Sequence, residues 1–487
     1  MRILLIQARL SFFAGNLMPL MNLPALSAYL KQAGYKEVEM LHMDLFPPGK
    51  EGVEERLRAF KPDIVGIGAM TAQAKSMHEV AGLVKRILPG ALVVAGGPHP
   101  TSRAADCAAN PAIDALVLHE GELTLLDLVR CVEEKKTFDG VKGIGFRRDG
   151  RLVLTPPREF IEDLDSLPLP DWEAVDFNAY RDCLPTSMLG FGKKVIGIIT
   201  SRGCPYHCIF CHHQLGSAFR AHSPARVLRD IAVLHDKYGV RDIEIIDDII
   251  NFDRDRLKAI LRGIIAGGMK IRLYMAVGLR GDLLDEETID LMRAAGVVYL
   301  TVAVETGSPR MQKIIKKDLD LDKMKKMIAY AAKKRIFLQG LFLVGFPGET
   351  PDDVRQTVRY ALGSRLHSMM VGTCCAYKGT ELGDTISADK APQAADACPG
   401  SSPDNNIKGE LYCPVLFDTK PDSYGYHVVN CSDISDRRLN AMKFLMNVRF
   451  YYNPLRAYRI LRDMPFRNLG LMKIFFRKLL NKTLFFR

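Results

Sequence analysis

No run of apolar residues in the 487-residue sequence approaches the roughly 20 needed to cross a bilayer, so no spanning segment is expected. MRILLIQARL opens directly on a strand-like run, with neither an apolar h-region nor a small-residue cleavage site, which argues against a secretory signal. Cysteine is sparse and odd in number, at 11 residues, which speaks for a reducing cytoplasm and against a disulfide framework. Acidic residues are nearly missing from one region. Residues 437–487 carry 13 Lys and Arg against Asp463 alone, a net +12 of the whole chain's +11, so the remainder sums to about −1. The basic balance therefore belongs to the tail and not to the body. No internal repeat is visible beyond an alternation of β and α patterns. What is present is ordinary for a globular chain: 48% hydrophobic and 25% charged residues. The length suggests two or three domains.

Over residues 1–135, RILLIQ, VEMLHMD, DIVGIGAMT, ALVVAGGPHPT and ALVLHEGE read as strands, and LPALSAYLKQAG and AQAKSMHEVAGLVKRILPG as helices ending on glycine. Such alternation indicates a parallel, doubly wound α/β sheet. Its ligands would lie outside the carboxyl ends of the strands, at Thr71, at Gly96, Gly97, His99 and Thr101, and at Glu120, Gly121 and Glu122. Read alone, these residues are also compatible with plain strand-to-helix turns. VKGIGFRRDGRLVLTPP reads as a hairpin turning at Asp149-Gly150, and the Pro- and Asp-rich stretch 158–193 as a linker. A second block alternates the strands KKVIGIITS, RDIEIIDDII, IRLYMAVG, VVYLTVAVET, IFLQGLFLVGF and MMVGTCCAY with helices near 224–238, 253–267, 285–295, 321–334 and 351–364. Six such units fit a partial or full α/β barrel. Residues 384–410 read as a loop-like insert.

TSRGCPYHCIFCHHQ, at residues 200–214, places Cys204, Cys208 and Cys211 within eight positions. Three close thiolates select a soft metal centre. A structural zinc would need a fourth ligand, for which His212 or His213 stands near. A [4Fe–4S] cluster held by three cysteines would keep one iron open for a small molecule. Spacing does not separate the two, but position does: the loop follows the first barrel strand, at the mouth where barrel active sites lie.

CPYHCIFC resembles the Cx3CxΦC motif of the radical S-adenosylmethionine (AdoMet) enzymes, with Phe210 at the aromatic position. IEIIDDIINFDRDR, VAVETGSPRMQKIIKK and LVGFPGET are similar to the second-, fourth- and fifth-strand segments of that family's cobalamin-associated branch. The doubly wound domain with AGGPHPT and HEGE is similar to the branch's cobalamin-binding domain, and the resemblance spans roughly residues 1–385. It implies a Rossmann-like cobalamin-binding domain at 1–140, a hairpin and linker at 141–193, and a partial (β/α)6 TIM-like barrel at 194–385. A loop-rich segment at 386–434 and a basic aromatic helical tail at 435–487 would complete the chain.

By this resemblance the three cysteines ligate three irons, and AdoMet chelates the fourth through its amino and carboxylate groups. Phe210 would lie against the adenine, Asp247 would help position AdoMet or cap a helix, and Glu305 and Ser308 would contact the ribose or methionine part. Reductive cleavage, fed by an external reductant of flavodoxin or ferredoxin type, would yield a 5′-deoxyadenosyl radical. No Asp-x-His-x-x-Gly motif occurs, and His42 and His99 stand in other contexts, so cobalamin is expected base-off without a histidine ligand.

The implied activity is methyl transfer to an unactivated carbon, with cyclisation or rearrangement on the same cofactors as the alternative. A zinc-stabilised binding protein is the alternative from another class. Tyr206, His207, His212 and His213 read as surroundings of the cluster, Cys374 and Cys375 as sixth-strand residues, and Cys398, Cys413 and Cys431 are too widely spaced for a second cluster. The aromatic-basic tail suggests peripheral contact with the inner face of a membrane and a lipid-like or tetrapyrrole substrate, against a helix packed on the barrel. Nucleic acid is not expected as a partner.

Overall fold

The computed structural model describes residues 1–10, 22–46, 49, 52–180, 195–374, 376–377, 379–389 and 430–464. Its first sheet is built from β1 (Ile3–Gln7), β2 (Val38–His42), β3 (Ile64–Gly68), β4 (Leu92–Gly96) and β5 (Ala115–Val117). Between them run α1 (Leu23–Gln32), α2 (Val53–Phe60), α3 (Ala74–Ile87), α4 (Pro98–Ser102) and α5 (Ala104–Ala108), and α6 (Gly121–Glu133) follows. The strands pair in parallel in the order β2-β1-β3-β4-β5. Alternation along β1 explains the double winding. Ile3 and Leu5 join the core with Leu23, Leu30, Leu125 and Leu128 of α1 and α6. Leu4 and Ile6 join the opposite core with Leu57 of α2 and Met77 and Val80 of α3. Strand order reverses between β1 and β3, which places the ligand crevice at the carboxyl ends of those strands.

The expected hairpin is present as β6 (Ile144–Arg148) and β7 (Arg151–Leu154), turning through Asp149 and Gly150 at φ 49° and 75°. It differs from expectation in its allegiance. β6 pairs antiparallel with β5, so the hairpin completes the first sheet and that unit runs on to Leu154, beyond residue 140. The reason is that β5, short and parallel on one side only, leaves an edge that the hairpin covers.

The second sheet holds β8 (Val195–Ile198), with a small antiparallel pair β9 (Ser201–Arg202) and β10 (Arg220–Ala221) beyond its end. Then follow α7 (Pro224–Ala232), β11 (Asp242–Ile245), α8 (Arg254–Ala266), β12 (Arg272–Leu279), α9 (Glu286–Ala294) and β13 (Val297–Glu305). The remaining units are α10 (Pro309–Ile314), α11 (Leu321–Lys333), β14 (Phe337–Val344), α12 (Pro351–Gly363), β15 (Ser368–Thr373) and α13 (Glu381–Asp389). Six parallel strands run in sequence order from β8 to β15, and among the described residues these two end strands do not pair, so the barrel is partial. Ser223, Asp253, Asp285, Asp320 and Thr350 each cap a barrel helix by accepting a backbone N–H three residues on.

α13 occupies the start of the stretch expected as an insert, and residues 390–429 lie outside the described ones, with Cys398 and Cys413. The tail begins as α14 (Asp436–Tyr451) and α15 (Pro454–Asp463); residues 465–487 also lie outside. α14 buries Leu439, Met446 and Phe450. The buried Arg456 guanidinium donates to the carbonyls of Ala361, Leu362 and Ser364 at the end of α12, and stands 3.5 Å from the centroid of the Phe450 ring. Asp463, the lone acid of residues 437–487, accepts from Arg335 and Arg462 and meets His367 Nε2 at 3.1 Å. The first part of the tail is thus docked on the barrel. Among the described residues no helix is long and apolar enough to cross a membrane.

Candidate functional site

The cysteine loop leaves β9 at the C-terminal mouth of the barrel. Its entry needs Gly203, which lies at φ 83° with Ala218 O only 2.2 Å from where a Cβ would stand. Between Cys208 and Cys211 the apolar pair Ile209-Phe210 anchors the loop from below. Ile209 N donates to Ile315 O at 3.2 Å, Leu382 N donates to Ile209 O at 2.8 Å, and both side chains pack with Met311, Ile315 and Phe346. Cys374 is buried in the same apolar cluster; Cys375 lies outside the described residues.

The donor set fits a cluster better than one ion. Among the described residues the trio of ligating atoms that all fall within 4.8 Å of one another is His78, His99 and Cys107, so the three loop thiols are not such a nest. His212 packs its ring on Tyr377 and His213 on His207. Three spaced thiolates suit three separate irons and leave the fourth without a protein ligand. Burial pushes the Cys208 thiol up; Lys317 pulls it back down, while Cys204 adds to the rise. Three thiolates of one sign at this spot therefore need a cationic centre among them.

Around the loop, Asp247 is buried at the end of β11 and accepts from the Thr200 amide (2.5 Å), the Thr200 hydroxyl (2.6 Å) and the Ser201 hydroxyl (2.6 Å). It holds the strand from which the loop departs. Asp248, exposed in the bend after β11, accepts from Gly203 N at 3.2 Å, so the two neighbouring carboxylates together hold the segment 200–203 that leads into the cysteine loop. Glu305 ends β13 at φ 61°, uncommon for a residue with a side chain, and accepts from Lys317 Nζ at 2.8 Å in a buried pair. Lys317 Nζ also lies 6.0 Å from the centroid of the Phe210 ring, and Phe210 packs on Phe346 at 5.5 Å. Arg280 stacks on Tyr206 at 3.9 Å, pairs with Asp282 and donates to Lys317 O. Ser308 is fully buried; its hydroxyl donates to Asp353 and accepts from Met311 N, so it acts as the cap of α10.

In the first domain, Gly97 at φ 99° brings its position within 3.0 Å of Ala69 O, too close for a larger residue. Thr101 donates to Gly97 O and accepts from His119 N, joining the turns after β4 and β5. Thr71 opens a short 3-10 turn, and Gly96 O accepts from Ala69 N. His99 is in the short helix α4, not in an extended strand, and its ring meets His78 of α3. Gly121 starts α6, and Glu120 and Glu122 flank it.

Those two carboxylates reach across to the barrel. Glu122 accepts from Arg202 at 2.6 Å, and Glu120 accepts from Arg202 at 3.0 Å, from Arg220 at 2.8 Å and from Ile161 N at 2.7 Å. His119 Nδ1 meets Gln214 O at 2.9 Å beside the cysteine loop. The carboxyl-end turns of the two sheets are thereby locked face to face. Sequence reasoning missed Arg202, Arg220, Arg280 and Lys317. Each of two had a usable signal: Arg202 stands two residues before the first loop cysteine, and Lys317 closes the segment VAVETGSPRMQKIIKK.

Known proteins match this arrangement domain by domain. The radical SAM superfamily model matches residues 198–361 and the B12-binding domain model residues 14–129. A protein of Pyrococcus horikoshii described as an uncharacterized methyltransferase is 31% identical over 333 residues, 67% of this chain and 70% of its own length. Cytidylyl-2-hydroxyethylphosphonate methyltransferase of Streptomyces wedmorensis is 29% identical over 67% of each chain. Anaerobic magnesium-protoporphyrin IX monomethyl ester cyclase of Rubrivivax gelatinosus is 27% identical over 80% of this chain and 71% of its own. In fold, the radical S-adenosylmethionine methyltransferase TsrM from Kitasatospora setae, solved with cobalamin and a [4Fe–4S] cluster, superposes with a TM-score of 0.65 at 20% identity, covering 80% of this chain and 75% of its own. The zinc-stabilised binding protein is set aside by these relationships. A partial barrel with a three-cysteine mouth, latched to a B12-binding domain and related in sequence over two thirds of the chain, makes this chain a member of the cobalamin-binding branch of the radical S-adenosylmethionine enzymes.

Proposed function

We propose that the chain transfers a methyl group to an unactivated carbon of a small, apolar substrate. The observation that carries this reading is the lock between Glu120, Glu122, Arg202 and Arg220, which sets the carboxyl-end turns of the two sheets against each other. One substrate held between them would meet both cofactors. The two methyltransferase relatives support the choice of reaction. When bound, AdoMet at the cluster supplies a carbon radical on one-electron reduction, and cobalamin supplies a carrier for the methyl group.

The chain's own residues hold and orient. Cys204, Cys208 and Cys211 would ligate the cluster, and Asp247 fixes the strand they leave. Lys317 and Arg280 set positive charge beside the electron-rich thiolates, favouring their ionised form. Phe210 and Glu305 face this ground from the loop and from β13, in keeping with contacts to AdoMet. Ser308 would serve through the turn it caps. For cobalamin, the close turns at Thr71, Gly96-Gly97, Thr101 and Gly121 offer backbone, while Glu120 and Glu122 act through the lock. His99 is buried against α3 and His42 meets the Tyr180 hydroxyl at 2.9 Å, which supports a base-off cobalamin without a histidine ligand. The electron would come from an external flavodoxin- or ferredoxin-type donor.

A second reading, oxidative cyclisation, is favoured by the cyclase relative, which aligns over 80% of this chain. Product analysis separates them: S-adenosylhomocysteine formed alongside 5′-deoxyadenosine means methyl transfer, whereas 5′-deoxyadenosine alone means cyclisation or rearrangement. An apolar substrate drawn from a membrane fits the outer face of α15, where Leu455, Tyr458 and Leu461 are exposed.

A further inference from the structure

The first domain holds a trio of ligating side chains that nothing above uses. His78 on α3, His99 on α4 and Cys107 on α5 bring two ring nitrogens and a thiol within 4.8 Å of one another. Cys107 is fully buried and His99 only 5% exposed, yet both ring nitrogens of His99 are buried without a hydrogen-bond partner. Buried polar atoms in a folded protein are nearly always paired, so an imidazole with both nitrogens unpaired points to a ligand. The His78 and His99 rings meet edge-on, with centroids 6.5 Å apart, and the Asn110 amide lies 2.9 Å from His78 Nδ1, which fixes the His78 ring. His78 is only half-buried and gives the site an edge open to solvent.

We propose that His78, His99 and Cys107 form a binding site for one borderline-soft divalent ion, zinc foremost. Two imidazoles and a thiolate are the donor set of zinc, with water in the fourth position; magnesium and calcium would take oxygen ligands instead. On binding, a Zn–S bond forms, the Cys107 thiol gives its proton to solvent, and the oxidation states of metal and sulfur are unchanged. Desolvation lowers the His99 imidazole to about 4 and raises the Cys107 thiol to about 12, so His99 offers a nitrogen lone pair, His78 exchanges its contact with the Asn110 amide or moves its ring proton to coordinate, and zinc must displace a proton from sulfur. The ion would pin α4 and α5 onto α3, directly behind the Gly97–Thr101 turn. Its binding does not depend on cobalamin or on the reaction performed.

The test uses the full chain with its cluster reconstituted, so that Cys204, Cys208 and Cys211 are occupied, and with cobalamin omitted. Zn2+ is titrated in competition with a chromophoric chelator, and Co2+ is followed by absorption. The expected result is one equivalent of zinc per chain and a thiolate-to-cobalt charge-transfer band. Cys107→Ser should abolish that band, and Cys107→Ser or His99→Gln should weaken zinc at least tenfold. Cys131→Ser, at another buried cysteine of the same domain, should change neither. Iron content and circular dichroism report the fold, and His78→Gln, at the solvent edge, replaces any variant that fails to fold. Failure of the chain to compete for zinc, or equal zinc affinity and cobalt spectra in wild type, Cys107→Ser and His78→Gln, would overturn the site.

Discussion

Arg202 Nη2 donates to Glu122 Oε1 at 2.6 Å, a buried ion pair that ties the residue two before the first cluster cysteine to the first turn of α6 in the other domain. Burial by itself would raise the Glu122 carboxyl, but the guanidinium outweighs it and holds the group below the usual carboxylate range. Replacing Arg202 by Ala leaves that charge buried and unpaired, which should cost about 3–5 kcal/mol in denaturant unfolding. A group lowered in the folded state lends stability above its unfolded pKa of about 4.3 and loses it as pH falls through the folded value. In the variant the buried, unpaired carboxyl takes up a proton above its unfolded pKa, so the wild-type advantage should be largest at pH 7–8 and shrink steadily as the solution is acidified. A loss under about 1 kcal/mol at pH 7 would mean the pair contributes no more than a surface salt bridge.

Gly203→Ala places a Cβ 2.2 Å from Ala218 O in a left-handed backbone conformation. The loop cannot close as it stands. Anaerobically reconstituted variant protein should hold far less than the four irons per chain of a full cluster, while its circular dichroism stays native. Full iron content in the variant would show that the loop accommodates the methyl group.

Lys317 and Glu305 form a second buried pair, beside Phe210. Glu305→Leu should destabilise by about 3–5 kcal/mol, while the double variant Glu305→Leu/Lys317→Met should come close to wild-type stability, because both charges leave together. If the pair serves AdoMet as proposed, the stable double variant still loses the AdoMet-induced change in the cluster's electron paramagnetic resonance. A double variant with a wild-type AdoMet response would assign the pair to stability alone.

Glu349 is 1% exposed at the turn between β14 and α12; it accepts from Gly345 N at 2.5 Å, but its Oε1 is buried without a partner. Burial raises its carboxyl to about 7, well above the unfolded value of about 4.3. The folded chain holds this proton more tightly, so the contribution is full below about pH 4.3 and is lost as pH rises through 7. Glu349→Gln should gain stability relative to wild type over that window, on the order of 3–4 kcal/mol by pH 8. Parallel stability curves for the two proteins would show that the buried carboxyl does not titrate there.

Leu455, Tyr458 and Leu461 are 73%, 61% and 49% exposed along one side of α15, next to the most basic part of the chain. Flotation with vesicles containing phosphatidylserine should recover wild-type protein, and a Leu455→Ser/Tyr458→Ser/Leu461→Ser variant should be recovered several-fold less. Equal recovery would remove the membrane from the account of this tail.

The reading of the cysteine loop, the barrel helices and the doubly wound sheet needed the sequence alone. A cluster needs thiols at fixed close spacing, a helix buries residues at a period near 3.6, and a buried parallel strand is a short apolar run; each is written within a dozen consecutive positions. α8, α9, α11 and α12 accordingly begin within a residue of the starts expected from the alternating pattern, at 253, 285, 321 and 351. The hairpin was equally legible as a hairpin, from Asp149-Gly150, but the strand it would pair with was not.

Only the folded chain decided the long-range partners. Glu120 and Glu122 look like ligand-contacting turn residues until Arg202 and Arg220 arrive from beyond the linker. Ser308 looks like a cofactor contact until Asp353 takes its hydroxyl, and Asp463 is one acid in a basic tail until it meets His367, Arg335 and Arg462. Local geometry constrains which atoms a short segment can offer. Which distant charge a side chain meets depends on how two sheets and the tail pack, and no local period records that packing.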